Sequence, residues 1–251
     1  MINDKDGYNL KDGLEKLKPD PVAEYESNKA ALVRGRPLMI ASAVLAVIFA
    51  LLTIAIIQPS LQPTAQDVDA TKLIESIPDI PWGTLLIWIS APGFPPFDWG
   101  VPIATIALLV LTRHLWHGVF MLLASMGGIV AGIPKLTINR ARPPAELVKV
   151  PDANLFGYSF PSGHVAEYVA VFGFIFYLAF VLLPRGSLIR WAILATTGIM
   201  VMFVGASRVY MGQHWTSDCL AGYAIGFGFL LVVIGLHRWW LRRQVREARH
   251  N

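Results

Sequence analysis

Long apolar runs separated by short polar connections set the pattern of this chain. A helix needs roughly 20 apolar residues to cross hydrocarbon, and residues 37–57, 165–184 and 219–236 each supply such a run. A fourth run starts after His117 and covers 118–134, and a fifth, 191–206, extends upstream to Leu188. The weakest, 101–112, stops at Arg113 and His114 and gains length only from the 94–100 stretch before it. The pattern predicts an all-α, polytopic membrane bundle of six spans. It divides the chain into an N-terminal segment (1–36), a membrane domain (37–236) and a basic tail (237–251).

The connection 58–100 is long and rich in proline. Within it, 84–90 is mostly apolar and carries Trp88, with Trp82 and Trp99 nearby. Indole rings favour the membrane–water interface, so this stretch reads as a surface-lying or re-entrant segment bordering a lipid entrance, or else as one packed onto the bundle. Residues before Arg34 mix acids and bases without clear periodicity.

Charge placement orients the bundle. Only 15% of the 251 residues are charged and 55% are hydrophobic, whereas soluble domains carry about 25% charged residues. Of the 21 Lys and Arg, fifteen fall in the two terminal segments or in the short loops holding Arg113, Arg185 and Arg190. An even number of spans puts these on one face, and the positive-inside rule makes that face, with both termini, cytoplasmic. Basic residues spread along span ends do not suit nucleic acid as a partner. A lone cysteine, Cys219, excludes an internal disulfide and a multi-cysteine metal site. The 36 mostly polar residues before the first run do not read as a cleavable signal.

Three polar fragments interrupt the runs, all on the opposite, outer face: Lys135-x6-Arg142-Pro143, Pro161-Ser162-Gly163-His164, and Ser207-Arg208-x5-His214-x3-Asp218. Between His164 and Ser207 lie two apolar runs, enough to cross and return, so a common face is consistent with the count. Phosphate esters call for fixed cations and directed donors. Arg142 and Arg208 can each grip two phosphate oxygens and Lys135 supplies a point charge, although a single outer-face cation is also an ordinary headgroup anchor. Ser162 suits an N-cap, and free N–H groups at a helix start bind anions. Gly163 lets a ligand approach the backbone, and His164 places a proton donor beside it. His214 and Asp218 share a face if their stretch is helical; if Thr216 or Ser217 caps the next helix, their contact comes from a turn. Fixing one imidazole nitrogen as N–H leaves the other as a nucleophile, and a purely structural His–Asp bond is the alternative.

The three fragments together resemble the type 2 phosphatidic acid phosphatase superfamily, whose pattern K-x6-RP, PSGH and S-R-x5-H-x3-D is matched at every specified position across 135–218. The resemblance implies a phosphatase needing neither cofactor nor metal. It implies His214 as nucleophile through a phosphohistidine, Asp218 holding its tautomer, and His164 protonating the leaving group. Lys135, Arg142, Ser162, Gly163 and Arg208 would bind the phosphate. Placement in the cell membrane with an extracytoplasmic site implies a lipid phosphate or diphosphate substrate: a polyprenyl diphosphate, phosphatidylglycerophosphate or phosphatidate. A phosphotransferase passing the group to a lipid or sugar alcohol, and a lipid or anion transporter, are the competing readings. Oligomeric state is not legible.

Other polar residues carry plainer readings. Glu167, one turn beyond His164, is costly in lipid and must face protein or water; it tunes His164, contacts a headgroup, or pairs structurally. Arg140 reads as a rim anchor or a steering charge for the substrate. His114 and His117 read as interfacial, and Gly128-x3-Gly132 and Gly222-x3-Gly226 as sites of close helix approach.

Overall fold

The computed structural model describes residues 35–57, 61–149 and 157–248; readings placed on 1–34, 58–60, 150–156 and 249–251 lie outside the described residues. All regular structure among the described residues is helical. The main helices are α1 (Gly35–Ile57), α2 (Ala65–Glu75), α3 (Thr84–Ser90), α4 (Phe97–Leu111), α5 (Leu115–Ala124), α6 (Gly127–Lys135), α7 (Gly163–Leu182), α8 (Leu188–Tyr210) and α9 (Thr216–Ala248).

Every apolar run falls on a helix, but the helices differ in reach. Four stretches are long and apolar enough to cross a membrane: α7, α8, Thr216–Gln244 within α9, and α5 with α6 taken as Leu115–Lys135. α4 starts at Phe97, so it does use residues upstream of 101. It meets the preceding Asp79–Gly93 stretch at a 63° bend, and the pair forms a broken span or a re-entrant loop. The apolar helix Ile40–Ala55 within α1 is shorter. By length and composition the described residues thus hold four spans, or five with the bent pair, where the runs alone suggested six. The chain is a multi-pass membrane protein.

α7 sits at the centre, buried by α6, α8 and α9, which is why its sequence is apolar on all sides. Glycine lets α9 come close: a Cβ at Gly222 would lie 2.7 Å from the Ser162 carbonyl oxygen, and one at Gly226 2.9 Å from Ala166 Cα. In the other pair only Gly128 is near a neighbour, 3.3 Å from Glu167 Oε2, while Gly132 faces open space. α1 lies against α9 and leaves Ile40, Val44, Val47 and Leu51 exposed, as a lipid-facing surface requires. α3 combines the two readings of its segment: Leu86, Ile89 and Ser90 are buried on the bundle, while Trp82 and Trp88 stay exposed.

α9 runs past the end of its apolar stretch at 236 and continues unbroken to Ala248. That extension covers His117, whose side chain is buried within the protein: its ring is 4.9 Å from that of His237, and the Tyr177 hydroxyl is 3.0 Å from His237 Nδ1.

Substituting Gly226→Leu should force α9 off α7. The expected result is a lower thermal midpoint in detergent by several degrees together with loss of activity, with Gly132→Leu close to wild type in both.

Candidate active site

α9 begins at Thr216, so His214 lies before the helix and Asp218 in its first turn. The two therefore meet through a turn and not across one helical face. Asp218 Oδ2 accepts the Trp215 N–H (2.9 Å), a reach-back bond of the kind that closes helix N-termini. This places the carboxylate 3.6 Å from His214 Nδ1. The Ser159 hydroxyl also donates to Oδ2 and lies 3.5 Å from the same Nδ1.

The far side of the ring fixes the proton's position independently. Arg142 Nη1 lies 3.4 Å from His214 Nε2. A guanidinium can only donate and an ionised carboxylate can only accept. Both neighbours therefore favour the tautomer with the proton on Nδ1 and the lone pair on Nε2. Burial is the larger influence on basicity: it pulls the His214 pKa down to about 3, against the opposing pull of Asp218. The imidazole is neutral at physiological pH. Burial also lowers Arg142, with Asp218 opposing, yet arginine remains a cation.

His214 opens into a cleft of about 450 Å³ shared with Lys135, Arg142, Gly163, His164 and Arg208. All three candidate cations and both histidines thus converge. Lys135 Nζ donates to Tyr158 O (3.1 Å), and Arg142 to Gly157 O (3.1 Å) and Gln213 O (2.6 Å), so backbone carbonyls aim both toward the cleft. Arg208 Nη1 donates to Ser90 Oγ (2.8 Å), and its guanidinium sits 5.0 Å above the Phe94 ring. The same ring is 5.3 Å from that of His164. The bend after α3 therefore supplies a wall that orients one cation and one histidine. His164 Nε2 is buried with no partner within the protein.

Ser162 takes the N-cap position of α7 with extended backbone, but its side chain makes no capping bond. Its N–H donates to the Asp218 carbonyl (3.0 Å), and its Oγ is buried without an oxygen or nitrogen partner. It does not line the cleft; Gly163 does. Ser207, part of the third fragment, points elsewhere and donates to Leu86 O (2.5 Å), tying α8 to α3.

Arg140 departs most from expectation. It is neither rim anchor nor steering charge: it is 0% exposed, with Nη1 2.5 Å from Asp218 Oδ1 and Nη2 2.6 Å from Asp67 Oδ2. Asp67 on α2 also accepts from the Ser217 N–H and hydroxyl, both at 2.9 Å. No motif marked Asp67 or Ser159; the nearest signal is Thr64 three residues before Asp67, a helix-start spacing that the structure uses, with Thr64 Oγ1 accepting the Asp67 N–H (3.1 Å). Glu167 does line the cleft, together with Asp98, the charged side chain that acts on it. The cleft thus has a cationic end and an acidic wall. Trp99 and Ile129, 53% and 57% exposed on the outside of the bundle, complete its mouth. Among the described residues no three His, Cys, Asp or Glu side chains are grouped as a metal would need.

The arrangement gathers three cations and two histidines at one cleft of a multi-pass membrane protein. Residues 113–242 match the profile of the PAP2 superfamily, about half of the chain, and the chain belongs to that superfamily. Phosphatidylglycerophosphatase B of Bacillus subtilis is 32% identical over 124 residues, covering 49% of this chain and 59% of the relative. Lipid A 1-phosphatase of Rhizobium johnstonii is 33% identical over 129 residues, covering 47% and 46%. The chain therefore aligns with only about half of these relatives' lengths. In fold it is similar to the crystal structure of a transmembrane PAP2-type phosphatidylglycerolphosphate phosphatase from Bacillus subtilis, with a TM-score of 0.63 at 24% identity, covering 78% of this chain and 94% of that one.

Because the folded pKa of His214 lies below its ordinary value, the unfolded chain takes up the proton first as pH falls. Its stabilising contribution is complete above about pH 6.5 and is lost toward pH 3. Thermal midpoints measured from pH 7 to 4 should fall more steeply for wild type than for His214→Asn; parallel curves would remove the claim of a buried neutral imidazole.

Proposed function

We propose that the protein is an integral membrane lipid phosphatase working through a phosphohistidine. The observation that carries this reading is the His214 Nε2 lone pair, held between Asp218 and Arg142 at a cleft lined by three cations. The Nε2 pair forms the N–P bond, the ester P–O bond breaks with its electrons on the alcohol oxygen, and that oxygen takes the proton carried by His164. Water then attacks phosphorus and gives its proton to His164, and the N–P bond returns its pair to Nε2. Lys135, Arg142, Arg208 and the Gly163 amide stabilise charge on the transferring group, and Ser162 supports them from behind. Three fixed cations perform the charge neutralisation that a metal clamp performs elsewhere.

Charge placement supports both termini in the cytoplasm, residues 237–251 as a basic cytoplasmic tail, and the cleft on the outer face. The exposed Trp99 and Ile129 at its mouth suit a substrate whose tail stays in the bilayer. The acidic wall narrows the substrate class. Asp98 and Glu167 offer carboxyl oxygens and no cation to a phosphate, so they suit the other half of the substrate, a headgroup alcohol bearing hydroxyl or amine donors. A prenyl diphosphate, whose leaving group is itself anionic, fits less well. The named activities of the relatives, on phosphatidylglycerophosphate and on the 1-phosphate of lipid A, fall in the favoured class.

His214→Ala should lower phosphate release from phosphatidylglycerophosphate by at least about a thousandfold, and EDTA should leave wild type unchanged. Full activity in the variant would exclude the nucleophile assignment, and label recovered in an acceptor lipid instead of free phosphate would make the enzyme a transferase. Glu167→Gln should reduce kcat/KM on phosphatidylglycerophosphate about tenfold while changing that on a prenyl diphosphate little. Equal losses on both would assign Glu167 a structural role.

A further inference from the structure

We infer that Asp67 and Arg140 are positioning residues that set the charge of the Asp218–His214 couple, so the segment preceding α4 completes the catalytic apparatus. The inference rests on the proposal that His214 is the nucleophile.

The geometry is a buried chain that closes on itself, because Arg140 Nη1 also donates to the Ser217 hydroxyl (2.8 Å). Asp67 and Asp218 flank the Arg140 guanidinium at 2.6 and 2.5 Å, and none of the three is more than 4% exposed. A buried charge without compensation is strongly unfavourable, so such a chain persists only when its members are mutually satisfied. Here Asp67 holds both ends of the arrangement at once, because it also accepts from the N–H and hydroxyl of Ser217, the residue adjoining Asp218.

Simple charge counting shows what Asp67 adds. When Nε2 takes up the phosphoryl group while Nδ1 keeps its proton, the imidazole becomes cationic. Asp218 is the anion that stabilises this cation, but a guanidinium 2.5 Å from the same carboxylate works against it. With Asp67 ionised, the three groups sum to one negative charge facing the imidazole. Without it they sum to zero, and Arg140 opposes the reaction from a distance at which water cannot screen it. Arg140 orients Asp218, and Asp67 cancels the electrostatic penalty of that orientation. Substrate is not touched by either residue: neither lines the cleft.

This separates the pair from ordinary structural residues by the parameter they should move. Asp67→Asn should slow phosphohistidine formation, measured by rapid quench with labelled phosphatidylglycerophosphate, by about tenfold to a hundredfold. KM should stay within about twofold, because the phosphate-binding cations are unchanged. The double variant Asp67→Asn with Arg140→Gln restores one net negative charge and should recover part of the lost rate relative to Asp67→Asn alone. Thermal midpoints and KM are measured on each protein. An unchanged rate in Asp67→Asn overturns the inference. So does a double variant no faster than Asp67→Asn, with rates following the thermal midpoints. His214→Ala run in parallel distinguishes the levels: if it retains activity, the nucleophile assignment itself fails, and if it is inactive while Asp67→Asn is normal, only the present inference fails.

Discussion

A carboxylate removed from water must have its lone pairs engaged by donors, and Asp218 meets that requirement with groups from separate parts of the chain. Ser159 comes from the loop before α7, Trp215 from the turn before α9, and Arg140 from the stretch after α6. Each donor pins its own segment, so the satisfaction of one side chain fixes the relative positions of the segments that form the cleft. The Ser162 N–H, bonded to the Asp218 main-chain oxygen, adds the start of α7 to the same node. Positions at this point are over-determined, which is what phosphoryl transfer requires when most of the catalysis is orientation and charge.

The segment between α1 and α4 does more than connect spans. α2 reaches the node through Asp67, and α3 is fixed to α8 by Ser207 and to Arg208 by Ser90. One signature serine thus acts as a brace, holding the wall against which the adjacent arginine is aimed. The glycines of α9 play a comparable part from the opposite side, since only a helix without side chains at Gly222 and Gly226 can lie close enough to α7 to bring Asp218 beneath the Ser162–Gly163 turn.

Much of this is legible in the sequence. Residue type and the parity of the apolar runs assign Lys135, Arg142, Gly163, His164, Arg208 and His214 to one site, and they line one cleft. Local spacing could not supply the partners of Asp218. Asp67 lies 150 positions from Ser217, its contact depends wholly on tertiary packing, and a single acid in a polar loop carries no periodic signal. Arg140 was misread because an arginine near a span end is usually solvated, and its burial depends on two carboxylates that the sequence does not place beside it. Apolar character ends near 236 but helical propensity does not, and Arg, Gln, Glu and Ala continue the helix to Ala248.

The uninterrupted course of α9 has a mechanical corollary. Its 33 residues form one rod roughly 50 Å long at 1.5 Å per residue, with Asp218 near one tip and Arg242, Arg243 and Arg246 near the other. Without a kink to absorb it, the azimuth of those arginines is locked to that of the carboxylate. Adding or deleting a residue between the tips would swing one end about 100° around the axis relative to the other, so the length of this rod is as tightly constrained as the identity of the groups it carries.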